Sequence, residues 1–183
     1  MSTEIQIAIL GIIGTLLGTV LGWFLNSLSQ KGKIRVFVKK WKATYQKADK
    51  MGGFVDCTRE EAGYYHYNLS LDAYNSSRET RIMRDIRVVF WDKKNPLFSN
   101  IPKDDTTKRT SNTLIRYDEI SIINIPAKTA VAIDLHGGLY SSDKEWPDFL
   151  KACRVKLRYK NEKNKEKMID VCRVVVNENN DSE

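Results

Sequence analysis

The first thirty residues contain no lysine or arginine, and from Ile5 to Gln30 there is no charged side chain of either sign. All thirty basic residues lie from Lys31 onwards, together with every acidic residue except Glu4. An uncharged apolar stretch of this length is long for the core helix of a soluble protein. The chain is therefore predicted to divide into an N-terminal apolar segment, residues 1–30, and a polar remainder.

Cysteine motifs are also absent. Cys57, Cys153 and Cys172 form no CxxC pair and no Cys/His cluster, which argues against a zinc site and against a disulfide framework. Free thiols in a reducing compartment are the simpler interpretation. The sequence likewise lacks a phosphate-binding loop, a dinucleotide-binding glycine pattern, a GxSxG elbow and an HExxH motif. We therefore predict a protein that is not an enzyme and that has no metal or cofactor.

Only two histidines occur, and they lie far apart in the sequence. His66 falls on the polar side of a predicted strand, where a solvated histidine is the usual case. His136 precedes Gly137-Gly138, which is predicted to break the chain. Functional sites do occur at such strand ends, but a turn residue is the preferred interpretation.

The apolar segment has the length of a membrane span. Residues Ile5–Leu25 are apolar apart from Gln6 and two threonines, and as a helix they extend about 30 Å, the thickness of a bilayer core. Trp23 and Phe24 lie near the end, where interfacial aromatics are favoured. A cleavable signal peptide would begin with basic residues and have a shorter apolar core. We predict one transmembrane helix in the plasma membrane.

Basic residues flank this helix on its C-terminal side alone. The positive-inside rule therefore predicts a short N-terminus outside the cell and a C-terminal domain in the cytoplasm. The same residues are predicted contacts for an anionic inner leaflet, although they can also serve only to set orientation. The predicted lipid contacts are Lys31, Lys33, Arg35, Lys39, Lys40 and Lys42.

Small residues recur along one face of the predicted span. Glycines at this spacing let two helix backbones approach closely enough to pack in lipid. The predicted helix-association face consists of Gly14, Gly18, Gly22, Thr15 and Thr19. Glycine is also common in membrane helices, so the pattern can arise by chance. It predicts a homo-oligomer or a membrane protein partner.

Beyond the anchor the hydrophobic period changes to two, which is typical of strands. A single soluble helix is predicted at Asp143–Ala152, provided that Pro147 falls in its first turn. The segments Ile120–Ile125 and Thr129–Leu135 are predicted to pair around Pro126. The other predicted strands begin at Ile34 or cover Tyr65–Ala73, Ile82–Trp91, Cys153–Lys160 and Lys167–Val176.

About seven short strands with one small helix favour an all-β sandwich, residues 31–176, followed by a disordered acidic tail, residues 177–183. The order of features resembles that of prokaryotic single-pass membrane proteins with an immunoglobulin-like sandwich beside the anchor. The matching segments are Leu69-Ser-Leu-Asp-Ala-Tyr-Asn-Ser-Ser, Ile86-Arg-Val-Val-Phe-Trp, Ile125-Pro-Ala-Lys-Thr-Ala-Val-Ala-Ile-Asp-Leu and a closing β-hairpin. This resemblance implies an immunoglobulin-like fold and no assigned activity.

Four cations alternate with apolar residues on one late strand, and together they form a possible anion-binding face. The set is Arg154, Lys156, Arg158 and Lys160. Its ligand would be the phosphate of a lipid headgroup, a nucleic acid or a nucleotide. The alternative is a solvated strand face paired with Glu166 and Asp170 of the next strand. Few aromatics accompany the cations, so no nucleic-acid partner is expected.

Two functions remain after these exclusions. The first is a membrane-anchored cytosolic interaction or scaffold module that self-associates, or binds a membrane partner, through its glycine-rich helix. The alternative is a ligand-sensing membrane effector of the kind found in phage defence or mobile elements. Its domain would respond to a ligand such as a nucleotide, and its helices would assemble to perturb the membrane.

Overall fold

The computed structural model describes residues 3–111 and 114–173. Helix α1 (Thr3–Gln30) leads through a three-residue connection into the β domain, which also contains a 3-10 turn at Asp105–Thr107 and the short helix α2 (Trp146–Phe149). The predicted tail, residues 177–183, lies outside the described residues. The strands are β1 (Ile34–Ala48), β2 (Phe54–Asp56), β3 (Tyr64–Asn75), β4 (Arg81–Trp91), β5 (Pro96–Asn100), β6 (Lys103–Asp104), β7 (Arg109–Ser111), β8 (Leu114–Arg116), β9 (Ile123–Ile125), β10 (Ala130–Tyr140), β11 (Arg154–Lys160) and β12 (Glu166–Arg173).

The strands form two antiparallel sheets. The first sheet has the order β2-β1-β3-β10-β6, and the second has the order β12-β11-β4-β5 with β9 paired to the beginning of β4. Strands β7 and β8 form a separate hairpin. Within the described residues, seven strands contain five residues or more. The predicted all-β sandwich with about seven strands and one short helix is confirmed.

The core lies between the two sheets, and the alternation of residues along the strands builds it. In β3 every second residue from Tyr65 to Asn75 is buried, while the residues between them face outwards. From the second sheet, β4 contributes Ile86, Val88 and Phe90, the three residues predicted to share one side. Burying such side chains contributes roughly 1.5–3 kcal/mol each, which makes this core the main source of stability.

The predicted soluble helix is much shorter than expected. Instead of Asp143–Ala152, α2 is a single turn, with Pro147 in its first turn. A helix beginning at Asp143 would place the proline ring against the Asp143 carbonyl and would lack one N–H donor. Asp143 closes a turn instead, because its N–H donates to the Tyr140 carbonyl and its carboxylate accepts from the Tyr140 N–H.

The predicted pairing of the two segments around Pro126 is wrong. Strand β9 pairs with β4, where Ile125 lies opposite Arg81, whereas β10 pairs with β3, where Ala130 lies opposite Tyr74. The turn between β9 and β10 therefore crosses from one sheet to the other. Alternating apolar residues predict that both segments are strands, but they carry no signal for which sheet each one joins.

The predicted chain break at Gly137-Gly138 is also wrong, because β10 continues through both glycines to Tyr140. The glycines leave room for two tyrosines of β3. A Cβ atom at Gly137 would lie 2.6 Å from Cζ of Tyr67 on the inner face. A Cβ atom at Gly138 would lie 2.6 Å from the hydroxyl oxygen of Tyr64 on the outer face. Here glycine marks close packing within a strand rather than a turn.

Candidate functional site

Helix α1 lies apart from the sandwich. Thr3–Leu28 has a mean hydropathy of 2.1, and the residues of its most apolar part are all unburied. The helix is therefore long and apolar enough to cross a membrane. At Gly14, Gly18 and Gly22 an added Cβ atom would meet nothing within 4 Å. The glycine face predicted from the sequence is therefore open along its whole length.

The threonines on this face have their hydroxyl groups satisfied within the helix. Thr15 Oγ1 donates to the Gly11 carbonyl and Thr19 Oγ1 donates to the Thr15 carbonyl, both at 2.9 Å. The hydroxyls are thus engaged with their own backbone, an arrangement common for helical threonine. This face is suited to close van der Waals packing more than to hydrogen bonding between helices.

The cations after the anchor divide into two groups. Lys31, Lys33 and Arg35 lie where α1 meets β1, and all three are exposed. The other three lie further along β1, which rises about 3.3 Å per residue, so Lys42 is roughly 25 Å along the strand from Ile34. Lys39 also forms an ion pair with Asp72 at 3.0 Å. Lipid contact by Lys39, Lys40 and Lys42 stays a prediction. The position of Lys31, Lys33 and Arg35 beside the helix end favours these three residues as lipid contacts.

A cleft of about 800 Å³ opens at the junction between α1 and the β domain. Its walls come from Ser27 near the end of α1, from the start of β1 and from the turn between β11 and β12. Two acidic residues, Glu79 and Glu162, line it, and Glu162 pairs with Arg81. The cations that line this junction cleft are Lys31, Lys33, Arg35, Arg81, Lys163 and Lys167.

The cationic strand face on β11 is largely paired with acids. Lys156 Nζ lies 3.6 Å from Asp170, Arg158 lies 3.9 Å from Glu166, and Lys160 lies 2.8 Å from Asp85. The ion pairs with Glu166 and Asp170 match the alternative interpretation of the sequence, a solvated strand face paired with acids of the next strand. Arg154 is exposed at the far end of the strand. Anion binding here stays a prediction, with three of the four charges already opposed by carboxylates.

The fold brings the two histidines together on the outer face of the first sheet, with ring centroids 6.0 Å apart. His136 lies within β10, not in the predicted turn. Its Nδ1 contacts the Asp105 carboxylate, and the Tyr117 ring packs edge-on against it at 4.3 Å. Burial, together with the charge of His136, lowers the pKa of His66. The register of β3 against β10 decides this meeting, and the sequence carries no signal for it.

The histidine pair has the polar groups of a small acid–base site but not a metal centre. Within the part of the chain that the structure describes, no group of three or more His, Cys, Asp or Glu side chains is placed to hold a metal ion. The three cysteines are unpaired and half-buried. Burial raises the pKa of Cys172 to about 11, which lowers the fraction of this thiol present as the reactive thiolate.

An aromatic patch that no sequence pattern indicated lies at one end of the first sheet, the end furthest from α1. We define the distal aromatic patch as Met51, Phe54, Tyr64 and Tyr140. Tyr64 stacks on Tyr140 at 4.6 Å and packs against Phe54 at 5.4 Å. Despite these contacts Phe54 is 54% exposed and Tyr140 is 52% exposed. Met51, in the turn between β1 and β2, is 95% exposed. Clustered exposed aromatics and methionine are typical of protein interaction surfaces.

Taken together, an apolar helix of membrane-spanning length and an immunoglobulin-like β-sandwich define the class of this protein. The chain belongs to the YopI Ig-like domain family, whose model matches residues 32–171. It is 27% identical over 158 residues to the SPbeta prophage-derived uncharacterized protein YopI of Bacillus subtilis strain 168. That alignment covers 85% of this chain and 88% of the relative.

Two solved structures share a coarse likeness with the domain. A protein from Archaeoglobus fulgidus aligns with a TM-score of 0.39 and 8% identity, over 73% of this chain and 90% of that protein. An uncharacterized β-sandwich protein from Clostridium difficile 630 aligns with a TM-score of 0.33 and 12% identity, over 78% of this chain and 91% of that protein.

Proposed function

We propose that this protein is a membrane-anchored interaction module whose α1 helix self-associates or binds a membrane partner. In this proposal α1 spans the plasma membrane, the N-terminus lies outside, and the sandwich lies in the cytoplasm. The observation that carries the proposal is the open glycine face of α1, where a Cβ atom added at Gly14, Gly18 or Gly22 would have no neighbour within 4 Å. Such a face lets the backbone of a second helix approach closely enough for extensive van der Waals packing.

We expect Gly18→Leu to weaken this association, because a bulky side chain at the middle glycine holds the two backbones apart. The span stays apolar, so insertion should be unaffected. Cross-linking in native membranes at several protein densities measures the effect, and the association constant should fall by about tenfold, which corresponds to a loss of roughly 1.4 kcal/mol.

The matched control is Leu16→Phe, which adds bulk to the opposite side of α1. The control should cross-link like the wild type. If Gly18→Leu also cross-links like the wild type, the glycine face is not an association surface and the proposal fails. If the wild type cross-links only in its host membrane and not after reconstitution alone, the partner is another membrane protein.

The distal aromatic patch gives the module a second surface, well away from the anchor. Gln46, which lies opposite Tyr64, is twelve residues along β1 from Ile34, so the patch is roughly 40 Å from the junction with α1. The length of the first sheet therefore separates the patch from the anchor. We propose that it docks a protein partner, with Phe54 and Tyr140 as the main apolar contacts.

We expect the double substitution Phe54→Ser and Tyr140→Ser to reduce partner recovery at least about tenfold, because truncation of an aromatic hot spot in an interface costs about 2 kcal/mol or more. The measurement is quantitative mass spectrometry of proteins that co-purify with the full-length chain. Leu114→Ser with Ile115→Ser is the control, since it removes two exposed apolar residues from the β8 hairpin strand. A partner lost equally from both variants would contradict docking at the patch.

The alternative function is a ligand-sensing membrane effector, such as one that responds to a nucleotide by binding its phosphates. The cationic face on β11 gives this effector function little support, because three of the four cations on that face are paired with carboxylates. The junction cleft favours it more, since an anion bound beside Ser27 would lie directly against α1. Competition between inorganic phosphate and lipid for that cleft distinguishes a soluble anion from a lipid as its ligand.

A further inference from the structure

We propose that the junction cleft binds the phosphate headgroup of an anionic phospholipid. The inference rests on the insertion of α1 in the membrane, as in the proposed function, and not on helix association or on the distal aromatic patch. The position of the cleft is the first observation. One wall includes Ser27, and the apolar span of α1 ends at Leu28, so the cleft opens at the level where lipid headgroups lie.

The connection between α1 and the sandwich is short and held in place. Lys33 N–H donates to Ser76 Oγ, and that hydroxyl donates to the Lys33 carbonyl, both at 2.9 Å. Gly32 packs so closely against the Ser76–Ser77 turn that an added Cβ atom would lie 2.5 Å from the Ser76 carbonyl carbon. These contacts fix the start of β1 beside the helix end, so this wall of the cleft exists before any lipid binds.

The opposite wall is the turn between β11 and β12. Asn161 Oδ1 accepts hydrogen bonds from the N–H groups of Lys163 and Lys165, at 3.1 and 2.9 Å. Asn164 adopts a positive φ of 57°, as such turns require. The Asn161 side chain thereby orders the turn. The exposed side chains of Lys163 in the turn and Lys167 at the start of β12 line the cleft.

The charge of the cleft matches a phosphate. Six cations line it against two acids, and the Glu162 carboxylate is engaged by Arg81. Lys31, Lys33, Arg35, Lys163 and Lys167 form no ion pair with another residue in the described ranges. Arginine binds phosphate oxygens in a bidentate manner, and each lysine adds a point charge. Positive charge concentrated at headgroup level favours an anionic lipid over a zwitterionic one.

The linear sequence suggested a different set of lipid contacts. Its run of six cations includes Lys39, Lys40 and Lys42, which β1 carries away from the junction. The fold replaces them with Arg81, Lys163 and Lys167, which come from the second sheet and its turn. We therefore expect charge at the β11–β12 turn to matter for lipid binding, whereas equal charge on β1 beyond Lys39 should not.

The test uses the full-length protein in nanodiscs that contain phosphatidylcholine and phosphatidylglycerol. Native mass spectrometry measures the phosphatidylglycerol that stays bound after release from the disc. The cleft variant is Lys163→Gln with Lys167→Gln, and the matched control is Lys40→Gln with Lys42→Gln, which removes the same charge from β1. We expect retention to fall on the order of tenfold in the cleft variant and to stay unchanged in the control.

Three outcomes would overturn the proposal. Equal loss in the two variants would show diffuse electrostatic attraction in place of a site. Equal retention of phosphatidylcholine and phosphatidylglycerol by the wild type would show that the phosphate charge is not recognised. Displacement of the bound lipid by millimolar inorganic phosphate would assign the cleft to a soluble anion. Equal thermal unfolding temperatures of the two variants would show that neither substitution disrupts the fold. The cross-linking of Gly18→Leu tests helix association separately, so its result does not depend on lipid binding at the cleft.

Discussion

Replacing Asn75 with leucine is expected to lower the free energy of unfolding by at least about 3 kcal/mol. The Asn75 side chain is completely buried where the two sheets meet. Its Nδ2 lies 2.7, 2.9 and 3.2 Å from the carbonyl oxygens of Glu79, Ile125 and Pro126. Its Oδ1 accepts hydrogen bonds from the N–H and the hydroxyl of Ser77. Leucine removes the donor to the Ile125 and Pro126 carbonyls and the acceptor of the Ser77 N–H, each at a cost of about 1–3 kcal/mol. The Glu79 carbonyl keeps its hydrogen bond from the Ser77 hydroxyl.

The effect is measured by urea unfolding of the detergent-solubilised protein, followed by tryptophan fluorescence. Asn75→Asp tests the donor and acceptor roles of the side chain separately. A carboxylate still accepts from Ser77 but donates no hydrogen bond to the three carbonyls. We therefore expect Asn75→Asp to destabilise the fold as well. The control is Asn124→Leu at the exposed middle position of β9, which should change the unfolding free energy by less than about 0.5 kcal/mol. A comparable loss in Asn124→Leu would contradict the role assigned to Asn75.

Replacing Gly137 with alanine is expected to cost about 1–3 kcal/mol through overpacking. The added methyl group would lie 2.6 Å from Cζ of Tyr67, so the tyrosine ring would have to move. Tyr67 is fully buried, donates a hydrogen bond to Asn100 Oδ1 at 2.7 Å and stacks on Trp41 at 5.0 Å. Movement of the ring would weaken both contacts, which is why a single methyl group has a large effect here.

Thermal and urea unfolding of four variants tests this explanation. Gly63→Ala is the control, since the nearest atom to its added methyl group is Ser141 Oγ at 3.7 Å, an ordinary contact. Tyr67→Leu removes the obstructing ring and should itself be destabilising. In the Tyr67→Leu background, Gly137→Ala should cost clearly less than it does in the wild type. Additive effects of the two substitutions would mean that the clash is not the cause.

The sequence correctly predicted those helices and strands whose characteristic pattern of apolar and polar residues lies within one short segment. An uncharged apolar stretch predicts a helix of membrane-spanning length, and α1 has that length. Alternation over Tyr65–Ala73 predicts β3, because successive side chains of any strand point to opposite faces. Two alternating segments joined by a polar connection predict the β11–β12 hairpin, with Glu166 and Asp170 beside the cations of β11.

The interpretation of Gly137-Gly138 as a chain break failed for a reason that lies outside that segment. Glycine is typical of turns, but it also allows a large side chain from a neighbouring strand to approach the backbone. Here Tyr67 and Tyr64 of β3 occupy the space on the two faces of β10. Neither tyrosine is near the glycines in the sequence, so only the pairing of β3 with β10 reveals the reason for the glycines.

By itself, the sequence determined the apolar helix, the strand character of the domain and the concentration of positive charge after residue 30, because each depends on neighbouring residues. Tertiary structure alone decided that β9 and β10 join different sheets, that His66 meets His136, and that Lys163 and Lys167 lie beside the end of α1. These outcomes depend on strand register and on which sheet a strand joins. Both are set by packing between residues far apart in the chain, and the alternation of apolar residues within one strand carries no information about that packing.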